Sequence, residues 1–219
     1  VLGISFCSPN DEKNSMFEWI CRCSSNNELD TPTQRNTSDT AECRTKKMKI
    51  SATIITLNEE RNIERCIQSL LPIVDEIIVL DSNSTDKTEA ICKAHGVRFQ
   101  KRNWEGYAAS KNFLNGLATY DYILSIDADE ALDNELKKAI LNLKKIEHPE
   151  LYSMNRLTNY CGKWIKHSGW YPDIKLRLFP KEGCQWEGEY VHEELTYPPN
   201  MKIHQLQGHL EHYSYYSHS

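Results

Sequence analysis

The chain has 219 residues, of which 39% are hydrophobic and 26% charged, and its formal net charge is −5. That length allows one sizeable core, the acidic balance gives no electrostatic footprint for nucleic acid, and no apolar run approaches the roughly 20 residues that span a membrane. The eight cysteines form no CxxC pair, which excludes zinc-ribbon spacing. Reduced thiols in a cytoplasm are the expectation, because Val1 to Pro9 is only briefly apolar and lacks the basic lead of a signal peptide.

Residues 1–47 are rich in Ser, Thr and Asn and have no sustained helical or strand period. They read as a disordered or non-native extension, and the working domain is expected to span 48–219. Ile50 to Leu57 is a β-branched run that predicts a buried strand. Asn58 is placed to cap a helix, Glu59 and Glu60 suit its N-terminal end, and Ile63, Cys66, Ile67, Leu70 and Leu71 repeat at helical spacing up to Pro72. Glu76 to Leu80 predicts a second strand. Ser84 or Thr85 is expected to cap the next helix, which runs to about His95 and leaves through Gly96. Val97–Gln100 predicts a strand, Tyr107–Ala118 a helix, Tyr122–Ile126 a strand, and Asn134 to Ile146 a helix. Strands alternating with helices predict an α/β fold with a mostly parallel sheet flanked by helices. Beyond residue 150 the pattern is irregular and rich in Trp, Tyr, Gly and His, as in a binding wall carried on a rigid sheet.

Ligands in such sheets sit beyond the carboxyl ends of the strands. Three polar clusters fall there: Thr56 to Glu59, Asp81 to Asp86, and Asp127-Ala128-Asp129-Glu130. Asp127 and Asp129 flank one small residue. Two carboxylates this close repel unless a cation lies between them, and Mg²⁺ or Mn²⁺ with a phosphate ligand suits oxygen donors. A solvated acidic turn at a helix N-terminus is the plainer alternative. Asp81 can accept bonds from a ribose hydroxyl or a base N–H, or can cap its own loop. The segment is neither an EF-hand loop, which needs Gly where Asp86 stands, nor an aspartyl-phosphatase motif, since Asn83 stands at the second Asp.

With both clusters in view, the chain resembles inverting family 2 glycosyltransferases of the GT-A fold, and more narrowly the bacterial lipopolysaccharide core β-1,4-glucosyltransferase subgroup. The carrying segments are Ile50 to Ile63, Val74 to Thr88, Trp104-Glu105-Gly106-Tyr107 with Lys111-Asn112, Leu124 to Glu130, Gly169 to Phe179, Val191-His192-Glu193 and His212-Tyr213. The resemblance implies a Rossmann-related GT-A sheet with an aromatic-rich acceptor region. It implies that a hexose, glucose in this subgroup, moves from a UDP-sugar to a glycan or lipopolysaccharide core acceptor by metal-assisted single displacement. Thr56, Asn58, Glu59 and Asp81 would line the uridine pocket, Lys111 would approach the phosphates, and Asp127 and Asp129 would hold a divalent metal and the diphosphate. Glu193 is the first choice for the base and Asp173 the second. A surface acid beside Glu194 is the alternative for Glu193. Trp170 offers a face for a sugar ring or packs in the core, Arg177 steadies an acceptor phosphate or pairs with a carboxylate, and His212 completes the metal shell or merely ends a polar strand. The subgroup also implies a peripheral position on the cytoplasmic face of a bacterial inner membrane. Members of this kind continue into further helices, so the domain is expected to be truncated at its C-terminus. The competing classes are an inactive nucleotide-sugar-binding domain and a nucleotidyltransferase making nucleotide sugars. The latter would want a Gly-rich loop where Leu57-Asn58-Glu59-Glu60-Arg61 stands.

Overall fold

The computed structural model describes residues 48–145, 150–188 and 193–216. The reading of residues 1–47 as an extension, the end of the last helix at Ile146, and Val191-His192 lie outside the described residues.

The first half of the domain follows the alternation of its sequence. Strand β1 (Ile50–Thr56) is buried at every position, its apolar residues interrupted only by the small polar Ser51, Thr53 and Thr56. Helix α1 (Ile63–Leu70) lays Ile63, Cys66, Ile67 and Leu70 on the sheet. Strand β2 (Glu76–Asp81), helix α2 (Thr88–Ala94), strand β3 (Arg98–Lys101), helix α3 (Tyr107–Leu117) and strand β4 (Tyr122–Asp127) follow in order. Gly96 takes φ +66° just past α2, the left-handed exit that suits glycine. Helix α4 (Asn134–Leu143) is capped by Asp133, whose carboxylate accepts the Leu136 N–H at 2.7 Å.

Two caps differ from expectation. Neither Asn58 nor Ser84 nor Thr85 starts a helix: α1 begins after Asn62 and α2 after Lys87. Those side chains instead stitch the loops after β1 and β2 together. Asn58 Oδ1 accepts the Thr85 N–H at 2.8 Å, and the Asn58 N–H donates to Ser84 Oγ at 2.7 Å. The Glu60 N–H donates to Asp86 Oδ2 at 3.0 Å, and the Lys87 N–H to Glu60 Oε2 at 3.0 Å.

The region after residue 150 is regular, not irregular. It supplies β6 (Leu151–Tyr160), β7 (Lys163–Trp164), β8 (Asp173–Pro180), β9 (Gln185–Glu187), β10 (Glu194–Thr196) and β11 (Ile203–Tyr215), while β5 (Glu130–Leu132) lies directly after the carboxylate turn. The main sheet runs β3-β2-β1-β4-β8-β6-β11-β5, with β7 beside β6, and β9 and β10 form a separate hairpin. Strands β3, β2, β1 and β4 are parallel, as expected. Beyond β4 the sheet is mixed, because β8 returns antiparallel between β4 and β6. This is a GT-A-like α/β fold. Helices α1 and α4 pack on one face of the sheet, and α3 with the β9–β10 hairpin packs on the other around Phe179, Trp186 and Leu195. No helix among the described residues is long and apolar enough to cross a membrane.

Candidate active site

The parallel strands end at a cleft of about 770 Å³ whose lining includes Thr56, Leu57, Glu59, Ser82, Trp104, Tyr107, Asp127, Asp129 and His212. Five of the expected residues therefore meet there: Thr56, Glu59, Asp127, Asp129 and His212. Trp104 and Tyr107, an edge-to-face pair with centroids 4.6 Å apart, add an apolar wall. Neither has an expected role from its motif alone, although an exposed Trp beside a strand-end cleft offers an apolar face to a base or a sugar.

Asp127 ends β4 with its two oxygens in different situations. Oδ2 accepts Arg177 at 2.7 Å. Oδ1 is buried and forms an ion pair with Lys111 Nζ at 3.2 Å. Burial opposes its ionisation, but the charges of Arg177 and Lys111 win and hold the carboxyl well below the usual range. Thr56 Oγ1, at the end of the neighbouring strand β1, is buried without a partner. Unsatisfied buried oxygens are uncommon, because each costs about 1–3 kcal/mol.

Asp129 lies opposite. Its Oδ2 is 3.2 Å from His212 Nε2 and accepts Ser214 Oγ. Burial raises its pKa, but the bond and charge of His212 bring it below the usual value. Strand β11 delivers His212 to this position by pairing it with Glu130 of β5 and Thr158 of β6. No three His, Cys, Asp or Glu groups among the described residues converge as a ready metal shell. The donor set nonetheless suits a hard cation: Asp129 and His212 adjoin, and Asp127 lines the same cleft.

The remaining expected residues take other places. Asp81 is fully buried, and Ser84 occupies both its oxygens, through Oγ and through the backbone N–H at 2.9 Å. Asn58 braces the loop rather than lining the cleft. Both shape the pocket through the loops they hold. Arg177 is only 5% exposed and donates to Asp127 and, at 2.9 Å, to Glu130, so the acceptor-phosphate role gives way to a buried structural pair. Burial disfavours its charge, but these two carboxylates outweigh that and raise its pKa. Glu130, unassigned in the sequence reading, is buried, and its other oxygen accepts the Asp127 N–H at 3.0 Å.

Asp173 pairs with Arg156 at 2.8 Å and Lys175 at 3.0 Å. Burial raises its pKa, but these partners lower it overall, which makes it a poor proton acceptor. Glu193 is absent from the cleft lining, and its Oε1 accepts Lys111 Nζ at 2.8 Å. Trp170 stands apart from the cleft lining, half-exposed, with its ring edge-on to Tyr160 and 5.6 Å from Tyr215.

Residues 51–193 match the family described as Glycosyl transferase family 2. The chain belongs to that family. An uncharacterized glycosyltransferase of Rickettsia bellii is 49% identical over 92 residues, covering 42% of this chain and 31% of that protein. A protein of Rhizobium meliloti named lipopolysaccharide core biosynthesis glycosyltransferase LpsC is 38% identical over 102 residues, covering 44% of this chain and 37% of that one. The chain thus spans about a third of the length of these curated relatives. Among solved structures, glucosyl-3-phosphoglycerate synthase of Mycobacterium tuberculosis, in complex with Mn²⁺, UDP and phosphoglyceric acid, is 26% identical. It aligns with 52% of this chain and 44% of that one, at a TM-score of 0.42.

Proposed function

We propose that this family 2 domain transfers a sugar from a UDP-hexose, glucose in the first instance, to a glycan acceptor by a single inverting displacement. The observation that carries the reading is the meeting, in one cleft at the ends of adjacent parallel strands, of Thr56, whose Oγ1 is buried without a partner, with Asp127, Asp129 and His212. A nucleoside diphosphate supplies hydroxyl donors and cation-bound oxygens for such a place. Asp129 and His212, with Asp127, would hold a divalent cation, which when bound neutralises charge on the diphosphate leaving group.

The protein's own share is binding, orientation and proton removal. Trp104 and Tyr107 offer an apolar wall to the base or the sugar. Glu193 takes the proton from the acceptor hydroxyl as that oxygen attacks the anomeric carbon and the bond to the diphosphate breaks. Asp173 is the weaker choice, being held by Arg156 and Lys175. The name of the Rhizobium relative supports a lipopolysaccharide core acceptor. Trp170, with Tyr160 and Tyr215, is the aromatic surface on which acceptor rings would stack.

The test is calorimetric titration of UDP with Mn²⁺ into the wild-type chain and into Asp127→Asn and Asp129→Asn, together with an assay of UDP release from UDP-glucose. Affinity should fall at least tenfold in each variant while the thermal transition of Asp129→Asn stays close to wild type. Equal binding by all three proteins would remove the donor site from this cleft.

A further inference from the structure

A buried lysine is costly unless its charge is matched. Lys111 of α3 is 2% exposed, and its ammonium is enclosed by three groups. Glu193 Oε1 lies 2.8 Å away, Asp127 Oδ1 lies 3.2 Å away, and the ring centroid of Trp186 is 4.8 Å away. The enclosure is braced by the next residue along the helix. Asn112 Oδ1 accepts the Trp186 N–H at 2.8 Å, and its Nδ2 donates to the Trp186 carbonyl at 2.7 Å. Trp186 sits in β9, which pairs with β10, and β10 begins one residue after Glu193. Two successive side chains of one helix therefore fix both the hairpin and the carboxylate beside it.

Gripping a diphosphate would require Lys111 to abandon both carboxylates. Arg177 also faces Asp127, but it is shared with Glu130. The charge of Lys111, set between Asp127 and Glu193, is what allows these two carboxylates to share one ammonium. Without it the two acids repel, and the shorter route for Glu193 is outward to water.

Resting on the reading of Glu193 as base, we infer that Lys111 is a positioning residue that acts through Glu193. Its ammonium fixes the acceptor-side carboxylate against the donor turn. It does not bind the diphosphate.

The experiment is a double-mutant cycle on the whole chain with Lys111→Met, Glu193→Gln and the pair, plus Lys111→Arg as the charge-conserving variant. Each is titrated with UDP and Mn²⁺ by calorimetry and assayed for UDP release from UDP-glucose. Lys111→Met should bind UDP within about threefold of wild type and lose about 10–100-fold in kcat, as a misplaced base does. Adding Lys111→Met to Glu193→Gln should cost less than about threefold more, and Lys111→Arg should recover part of kcat. Losses that multiply in the double variant, or a tenfold fall in UDP affinity with Lys111→Met, would overturn the inference in favour of a phosphate grip. If Lys111→Met does not fold, Lys111→Arg and its double variant with Glu193→Gln decide by the same additivity. A wild-type chain that binds no UDP, or binds it and never turns over UDP-glucose, defeats instead the transfer reading beneath the inference.

Discussion

Replacing Arg177 by Met keeps most of the side chain's bulk and removes its charge. In the wild type that guanidinium serves Asp127 Oδ2 at 2.7 Å and Glu130 Oε1 at 2.9 Å, with the Glu130 side chain entirely inaccessible. Breaking a buried pair by deleting one partner costs about 3–5 kcal/mol, because the other charge stays buried without compensation. Arg156, 3.6 Å from Glu130 Oε1, and Lys111, 3.2 Å from Asp127 Oδ1, each keep some compensation. The lower end, about 3 kcal/mol, is therefore expected, which for a domain of this size lowers Tm by roughly 6–12 °C. Urea unfolding followed by tryptophan fluorescence measures the loss directly. Adding Glu130→Gln to Arg177→Met should return a large part of it, since the stranded charge is gone. A loss below about 1 kcal/mol, the scale of a solvent-screened pair, would refute the placement of Glu130 and Arg177 as a buried couple, and so would a double variant as weak as the single.

Thr56→Val removes an oxygen that has no partner in the free protein, so unfolding free energy should hold or rise slightly, while UDP affinity falls about 5–15-fold for the lost hydrogen bond; equal affinity by calorimetry would take Thr56 out of the nucleotide site. Gly208→Ala should destabilise by more than about 1–3 kcal/mol, because a Cβ there would lie 2.2 Å from the Leu136 N on a backbone at φ +96°, and an unchanged Tm would contradict that close approach of β11 to α4. Burial raises the pKa of Asp75, but its bonds from Lys144 and the Ile50 N–H lower it overall. A depressed carboxylate contributes stability present above its unfolded pKa of about 3.9 and lost as pH falls through its lower folded value. The wild type should accordingly lose urea resistance below about pH 4 more steeply than Asp75→Asn, and parallel acid limbs would refute the pairing.

What the sequence made legible divides near residue 130. Strands β1, β2 and β4 are buried along almost their whole length, so mostly apolar runs announce them. Strands β6, β8 and β11 carry polar side chains for a site on one face, and β11 has only Leu206 and Leu210 buried among 13 residues. The alternation Ile174, Leu176, Leu178 in β8 resembles a strand signal, but the burial runs against it, with Ile174 exposed and Arg177 buried. The caps failed for another reason. Asn58, Ser84 and Thr85 have the right chemistry for a local cap, but their partners lie on a neighbouring loop 26 or 27 positions away, beyond any local rule. Glu130 reads as one more acid in a turn because its counter-charge, Arg177, is 47 positions further on. Strand-end chemistry was thus readable where the fold is parallel and repetitive, and unreadable where distant charges are brought together in the dry interior.

The last long strand has a consequence in time. Strand β11 inserts between β6 and β5 and carries His212 and Ser214 to Asp129. Synthesis runs from the N-terminus, so a growing chain owns Asp129 for some eighty codons before it owns His212 and Ser214. The proposed cation site then cannot close until the ribosome has made nearly all of this sheet. Nascent chains of this kind would leave the cell's nucleotide sugars untouched, and chemical competence would coincide with completion of the sheet.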